Sequence, residues 1–217
     1  MQGTTHRVGG ALCAVAGYSL LQSKGLLIND VNPLLQLTIM YPFAVYGAIL
    51  PDFDHNWNSC PSKDMISYCI NKVLHIGTGI RKKTGKNLLG VLDAKHRSWQ
   101  THSVLFLMLV IWACISIFTS VTTGVDAVLF RLASTGLVMG IISHLALDLL
   151  TPEGIWLVIP SLITRKRKML HLMPKSKFFA TGGPWETLVR GIMWVVIAVL
   201  LLRLVYIALP YKLSFNL

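Results

Sequence analysis

The sequence predicts an all-α integral membrane protein, a bundle of about five hydrophobic helices with two long basic cytoplasmic loops. Three observations support this fold class. Hydrophobic residues make up 53% of the 217 residues and charged residues only 13%, whereas soluble domains carry about 25% charged residues. The mean hydropathy of the chain is +0.60. Finally, five apolar segments recur along the sequence, and lysine and arginine collect between them, as in the cytoplasmic loops of membrane proteins.

The five apolar segments are candidates for membrane-spanning helices, which need roughly 20 residues and tolerate 17 to 25. They cover about 8–22, 34–50, 103–122, 127–151 and 188–209. The third and fifth give the strongest signal and the second is long enough, but the first is short and rich in small residues. Because segments and loops alternate along the chain, we expect one membrane-embedded domain over residues 1–217.

The net charge of +11 has a topological explanation, so we expect no nucleic-acid partner. Most lysines and arginines lie in the loops 51–102 and 152–187, which the positive-inside rule places in the cytoplasm. Five spans then give a cytoplasmic N-terminus and an external C-terminus. The stretch MISYCINKVLHIGTGIRKK, residues 65–83, mixes apolar and basic residues and predicts a helix in the membrane interface. The four cysteines lack the CxxC spacing and are expected to be reduced.

Acidic residues and a histidine stand where the second apolar segment ends, in the stretch LPDFDHN at residues 50–56. The same residue types stand at the matching ends of the other segments. Successive spans run in opposite directions, so all these ends fall on the cytoplasmic side and predict one shared site. The residues placed there are His6, Asp52, Asp54, His55, His96, His102, His144, Asp148 and Glu186.

The types and spacings of these residues favour metal binding. His144 and Asp148 lie four residues apart and share a helix face, and Asp52 and His55 lie three apart. Ionisable groups cost about 2.5–3.5 kcal/mol each near the centre of a span, so those found there usually have a function. Histidine and carboxylate ligands without cysteine suit Zn²⁺, with Mn²⁺ or Fe²⁺ as alternatives. The donors exceed one tetrahedral shell, which makes two ions plausible.

Each residue also has an ordinary structural explanation. A histidine near the terminus can be solvated, acidic residues can cap a turn, and a helical pair can simply be hydrogen-bonded; these apply to His6, to Asp52 and Asp54, and to His144 with Asp148. His75 and His171 lie among basic loop residues and are given no role. The run RKRK at 165–168 is explained by topology and contact with anionic headgroups. The convergence of five segments favours a shared site over these separate explanations.

Five motifs together resemble the YdjM-like membrane-bound metal-dependent hydrolases. They are TH at 5–6, PDFDH at 51–55, HRSWQTHS at 96–103, SHLALDLLTPEG at 143–154 and TGGPWE at 181–186. The resemblance covers nearly the whole chain, from residue 5 to about 186. That family is bacterial and archaeal, lies in the inner membrane, and is distantly similar to zinc-dependent phospholipase C and P1 nuclease.

The resemblance implies roles for individual residues. Glu186 would be a late ligand or a general base, with Asp54 as the other candidate base, and Arg97 would hold a phosphate or another anion. Family members often read HRG-x-TH, whereas Ser98, Trp99 and Gln100 here separate Arg97 from Thr101. Thr101 and Thr151 would donate hydrogen bonds to the ligands. The implied metal ligands are His6, Asp52, Asp54, His55, His96, His102, His144 and Asp148.

The predicted function is metal-dependent hydrolysis of a phosphoester or lipid-like substrate at the cytoplasmic face of a bacterial inner membrane. Membrane lipids and an anionic or lipid-like substrate are the expected partners. Two other functions remain open from the sequence. Intramembrane histidines and carboxylates also mark metal-ion or proton transporters, and the same ligands would serve a closed metal site that only stabilises the protein.

Overall fold

The computed structural model describes residues 2–26, 28, 31–86, 97–120, 124–151, 154–156, 169–170 and 181–208. Within them the chain forms seven α-helices, two 3₁₀ turns and one antiparallel pair of two-residue strands. The helices are α1 (Gly3–Ser23), α2 (Pro33–Gly47), α3 (Met65–Leu74), α4 (Ile76–Thr84), α5 (Val104–Ser120), α6 (Gly124–Leu149) and α7 (Pro184–Ala208). The 3₁₀ turns are Pro51–Asp54 and Trp57–Ser59, and the strands are β1 (Ile155–Trp156) and β2 (Met169–Leu170).

The apolar segments form the helices of the bundle. Among the described residues, three stretches are long and apolar enough to cross a membrane: Leu34–Asp54, Gly124–Leu149 and Pro184–Tyr206. Helix α5 is a shorter apolar helix. The outward faces of α5 and α7 expose large apolar side chains, such as Trp112 and Leu202, as lipid-facing surfaces do. The predicted all-α membrane fold is confirmed.

Helix α1 coincides with the first and weakest of the predicted apolar segments and is not among those three stretches. It packs against α2, α6 and α7. Its inner positions carry small or medium-sized side chains, and Ala11, Ala14 and Val15 are buried there. A helix enclosed by other helices needs close packing more than a lipid-facing apolar surface. This explains why its sequence is rich in small residues.

Polar side chains start three of the helices. Asn32 accepts hydrogen bonds from the backbone N–H groups of Leu34 and Leu35 at the start of α2. Asp64 accepts one from Ser67 N at the start of α3, and Ser103 Oγ accepts one from Phe106 N at the start of α5. These side chains satisfy N–H groups that have no partner within the helix. In particular, Ser103 fixes the start of α5 directly after His102.

Helices α2 and α6 cross in backbone contact because glycine occupies the crossing. Gly136 and Gly140 lie four residues apart on α6, and a Cβ atom at these positions would stand 2.2 Å from Met40 O and 2.1 Å from Ala44 O. Small residues spaced by four are the usual means of such close approach between membrane helices. One turn beyond Gly140, His144 consequently reaches the carbonyl of Ala48, with Nδ1 at 2.7 Å.

The predicted interfacial helix over 65–83 forms two shorter helices, α3 and α4, separated at His75. We call this pair the arm. Its inward face packs on the Pro51–Asp54 turn, where Ile70 and Leu74 join the apolar cluster around Phe53. The left-handed Gly85, with φ 68°, ends α4, as glycine commonly does at a helix C-terminus.

Gly140→Ala should destabilise the bundle, because the added methyl group would meet the backbone of α2. Overpacking of this kind costs about 1–3 kcal/mol. Gly191 in α7 has nothing within 4 Å of its Cβ position, so Gly191→Ala is the matched control. Thermal unfolding in detergent should show a lower midpoint for Gly140→Ala alone. Equal midpoints for the two variants would contradict the backbone contact.

Candidate metal centre

Helix ends meet at one side of the bundle and bring together histidines and carboxylates from four parts of the chain. The N-terminal turns of α1, the turn after α2, the residues before α5 and the last turns of α6 contribute one or two side chains each. The result is two overlapping groups of buried side chains, each with donor atoms within 4.8 Å of one another: Asp52, His102 and His144 in one, and His6, His144 and Asp148 in the other.

The donor atoms are spaced like ligands of one ion. His102 Nε2 lies 3.5 Å from Asp52 Oδ1 and 3.6 Å from Asp148 Oδ2. His144 Nε2 lies 3.4 Å from Asp148 Oδ2 and 3.9 Å from Asp52 Oδ1. Hydrogen bonds between charged groups are shorter, about 2.7–2.9 Å. Two ligands of a tetrahedral ion, each about 2.0–2.2 Å from the metal, are about 3.3–3.6 Å apart.

His6 joins this cluster from α1. Its Nε2 lies 3.6 Å from Asp148 Oδ1, and its ring stacks on that of His144 with centroids 3.8 Å apart. Asp148 therefore faces His6 with one oxygen, and His102 and His144 with the other. Since His144 Nδ1 is occupied by the Ala48 carbonyl, this side chain offers one nitrogen to both groups. The groups are thus two halves of one cluster.

Acidic side chains outnumber the guanidinium in the cluster. Among the described residues it contains three buried carboxylates, those of Asp52, Asp54 and Asp148, and the guanidinium of Arg97. Buried carboxylates are costly unless groups of opposite charge lie beside them. A divalent cation bound by neutral imidazoles would supply such charge, so the residue types fit a metal ion.

Asp54 orients His102. Its Oδ2 accepts hydrogen bonds from Ser98 N at 2.9 Å, Ser98 Oγ at 3.1 Å and Thr101 Oγ1 at 2.8 Å, and it lies 3.2 Å from His102 Nδ1. A carboxylate on the outer nitrogen of a liganding histidine fixes the ring and makes the other nitrogen a better ligand. Ala48 O does the same for His144. Both imidazoles therefore present Nε2 to the cluster.

Arg97 holds Asp148 in place. Its Nη2 lies 3.2 Å from Asp148 Oδ1, and its Nη1 donates to Thr151 Oγ1 at 2.9 Å. The Thr151 hydroxyl in turn donates to the backbone carbonyl of Asp148 at 2.7 Å. Arg97 has a φ of 58°, which is uncommon for residues other than glycine, and Trp156 Nε1 donates to its carbonyl at 3.0 Å. These contacts favour a positioning role over the predicted direct grip on a substrate anion.

Glu186 lies in the first turn of α7, outside both groups of donors. It is buried, and its two oxygens accept hydrogen bonds from Gln2 N at 2.6 Å and Gly182 N at 2.7 Å. The carboxylate thus ties the N-terminus of α1 to the start of α7. This arrangement favours a structural role for Glu186 over the predicted roles of ligand or base.

Two further predicted ligands do not enter the described groups. His55 follows the Pro51–Asp54 turn as its capping residue and belongs to neither group of donors. His96 lies outside the described residues, as do His171 and the RKRK run. His75 closes α3, where its Nδ1 contacts Asn71 O at 2.8 Å. The structure therefore brings together five of the eight predicted ligands and uses Asp54 to orient one of them.

The sequence comparison identifies the family of the chain. The family model of the YdjM inner membrane proteins matches residues 1–213. The chain belongs to this family. No curated protein and no solved structure gives a significant match. The resemblance drawn from the motifs is confirmed at the level of the YdjM family and supports a location in a membrane, whereas the distant likeness to phospholipase C and P1 nuclease stays a prediction.

Three residues with direct roles at the site carry no sequence signal that singled them out. Ser98 holds Asp54 through both its backbone and its side chain. Trp156 donates from its ring to Arg97 O and from its backbone N–H to His102 O at 2.9 Å. Asn71 donates to Phe53 O at 2.6 Å and to His55 O at 2.7 Å. Ser98 could have been suspected because it lies inside the HRSWQTHS motif. Trp156 and Asn71 lie outside all five motifs.

His144→Ala should remove the bound metal from the purified protein, because this side chain belongs to both groups of donors. His75→Ala, which removes a histidine outside both groups, is the control and should retain the metal. Elemental mass spectrometry on protein in detergent, with thermal unfolding to show that each variant is folded, measures the effect. Equal metal content in the two folded variants would contradict the site.

Metal affinity should rise with pH. Burial disfavours the charged imidazole, but the nearby carboxylates of Asp52 and Asp54 outweigh burial and raise the pKa of His102 to about 9. A metal binds the neutral imidazole, so it must displace this proton, and below pH 9 the affinity should increase about tenfold per pH unit for one displaced proton.

Calorimetric titration with Zn²⁺ between about pH 6 and pH 8 tests this, since proton release accompanies metal binding in that range. Asp54→Asn removes one cause of the raised pKa and should give a shallower dependence. An affinity that does not change with pH would show that His102 is not among the ligands.

Proposed function

We propose that the protein is a membrane-bound metal-dependent hydrolase, acting on a phosphoester or lipid-like substrate at the cytoplasmic face of the inner membrane. The observation that carries this proposal is the set of four histidine–aspartate distances of 3.4–3.9 Å that join Asp52, His102, His144 and Asp148 in a buried cluster. Membership of an inner membrane family adds the location.

The metal we propose is Zn²⁺, with Mn²⁺ or Fe²⁺ as alternatives, because the donors are imidazoles and carboxylates. His102, His144, Asp52 and Asp148 would hold the first ion. His6 and Asp148 would contribute to holding a second ion, which two-metal hydrolases use to stabilise the attacking and leaving oxygens. It would need a further ligand in place of His144, and His96 is a candidate from the sequence.

A bound divalent ion supplies a water of lowered pKa and polarises the scissile group. The chain's own residues position this chemistry. Asp54 and Ala48 O keep the two imidazoles in the liganding orientation, and Arg97 keeps Asp148 turned inward. Of the three carboxylates, Asp52 has a side chain 10% exposed, against 0% for Asp54 and 1% for Asp148. Asp52 therefore marks the side from which we expect substrate and water to enter.

The substrate class follows from the depth of the site. Asp52 lies at the end of the Leu34–Asp54 stretch and Asp148 at the end of Gly124–Leu149, so a bilayer around these stretches would place the cluster near the headgroups. The basic loops would lie on the same side under the positive-inside rule and attract anionic lipids. A phosphoester at headgroup depth, in a multi-pass topology with a cytoplasmic site, fits both features.

Hydrolysis fits better than transport because the packing beyond the cluster is apolar. Ala11, Val15 and Met40 are buried between α1 and α2 on the way to the opposite end. There the buried Gln36 donates to the carbonyls of Ile28 and Val31 and accepts from Ile28 N, so its side chain serves the connection between α1 and α2. A transporter is expected to place polar groups near the midplane.

Asp52→Asn should abolish hydrolysis, and Asp54→Asn should lower it by about 10–100-fold, the usual effect of losing a residue that orients a ligand. The assay is release of phosphate-containing products from phospholipids and a model phosphodiester by protein reconstituted with Zn²⁺ or Mn²⁺. Gly191→Ala is the control and should keep full activity.

The same proteoliposomes separate the rival function. Metal or proton flux across the vesicles without turnover of any ester, lost in Asp52→Asn, would replace the hydrolase proposal by a transporter. Stable metal binding with neither turnover nor flux would leave the structural role of the metal as the better explanation.

A further inference from the structure

The two faces of α3 differ in what covers them. The inward face is fixed to the metal-site turn, with Ser67 and Asn71 buried and Asn71 bonded to the carbonyls of Phe53 and His55. The outward face carries large apolar side chains that stay exposed: Met65 at 81%, Ile66 at 63%, Tyr68, Val73 and, past the break, Ile76. Ile66 and Val73 lie seven residues apart on α3, so they line one side of that helix.

Basic residues follow this apolar face directly. Arg81, Lys82 and Lys83 form the last turn of α4, and Lys72 Nζ lies 5.2 Å from the centre of the Tyr68 ring on α3. A helix that combines exposed apolar residues with lysines and arginines is typical of segments that lie in the headgroup layer. Each basic residue near an anionic bilayer adds to the attraction. The charge and the apolar face therefore point to the same occupant.

A pocket of about 440 Å³ opens between the arm and the turn at Trp57–Ser59. Lys72 comes from α3 and Lys82 from α4, and both line the pocket together with His75 at the break between the helices. Trp57 and Asn56 also line the pocket. Lysines act as phosphate ligands through their compact charge. An aromatic residue in the lining suits a partly apolar molecule.

We propose that the arm docks on an anionic phospholipid surface and that this pocket holds a headgroup phosphate between Lys72 and Lys82. The apolar side chains of the outward face enter the acyl boundary beside it. Asn71 lines the same pocket and holds the turn that carries Asp52 and Asp54, so a lipid bound here lies next to the metal centre. The proposal rests on the membrane location and not on hydrolysis.

The first experiment measures lipid binding to the full chain by native mass spectrometry. Delipidated protein in detergent is titrated with phosphatidylglycerol or with phosphatidylcholine of the same acyl chains. We expect tighter binding of phosphatidylglycerol. Lys82→Gln should weaken that binding by about fivefold, the order expected when one lysine near anionic lipid is lost, with phosphatidylcholine binding unchanged.

Lys83→Gln is the matched control, because it removes the same charge from α4 at a residue outside the pocket lining. It should change phosphatidylglycerol binding by less than about twofold if the pocket, and not the general charge, holds the headgroup. Metal content and thermal unfolding of all variants should equal those of the wild type, which shows that the fold and the metal centre persist.

Three results would overturn the proposal. Equal affinity for the two lipids would remove the anionic preference. An equal loss of phosphatidylglycerol affinity in Lys83→Gln would show that general surface charge, and not the pocket, binds the lipid. Displacement of phosphatidylglycerol by millimolar inorganic phosphate would make the pocket a site for free phosphate and not a lipid docking surface. None of these depends on catalysis, so failure here leaves the hydrolase proposal standing.

Discussion

Three carboxylates are buried at one end of an apolar bundle, and the rest of the site depends on the need to stabilise their charge. Asp52, Asp54 and Asp148 cannot stay charged in this environment without partners, since desolvation of an isolated carboxylate is far more expensive than the fold can absorb. The chain supplies three kinds of partner. Arg97 faces Asp148, the Ser98 backbone and hydroxyl face Asp54, and imidazoles face all three.

The helix crossing makes this arrangement possible. Backbone contact at Gly136 and Gly140 brings α6 against α2, and only at this separation can His144 reach the carbonyl of Ala48. That hydrogen bond occupies Nδ1 and leaves Nε2 as the nitrogen that faces Asp52 and Asp148. The glycines thus act on the site through the orientation of one imidazole. A wider crossing should therefore lower both the stability of the bundle and the metal affinity that we propose for the site.

Much of the site could be predicted because it rests on periodicity and alternation. The four-residue spacing of His144 and Asp148 places both on one face, and opposite directions of successive helices bring the end of α2 and the start of α5 together. What could not be predicted depends on loops and packing. Nothing in the spacing of Ser98 shows that its N–H reaches Asp54, and Glu186 looks like a catalytic carboxylate until its backbone partners are known. The enclosed position of α1 likewise follows from tertiary packing, which cannot be read from the hydropathy of the segment.

The partial exposure of Asp52 shows which side of the site is accessible. Asp54 and Asp148 are enclosed by protein groups, whereas part of the Asp52 side chain remains accessible. The turn that carries Asp52 is also the turn that Asn71 of the arm holds through two backbone carbonyls. A movement of the arm would therefore reach Asp52 before it reached the better-enclosed carboxylates. Since the arm bears the exposed apolar and basic residues, contact with a lipid surface would act first on Asp52, the carboxylate that we propose both as a metal ligand and as the border of the entrance.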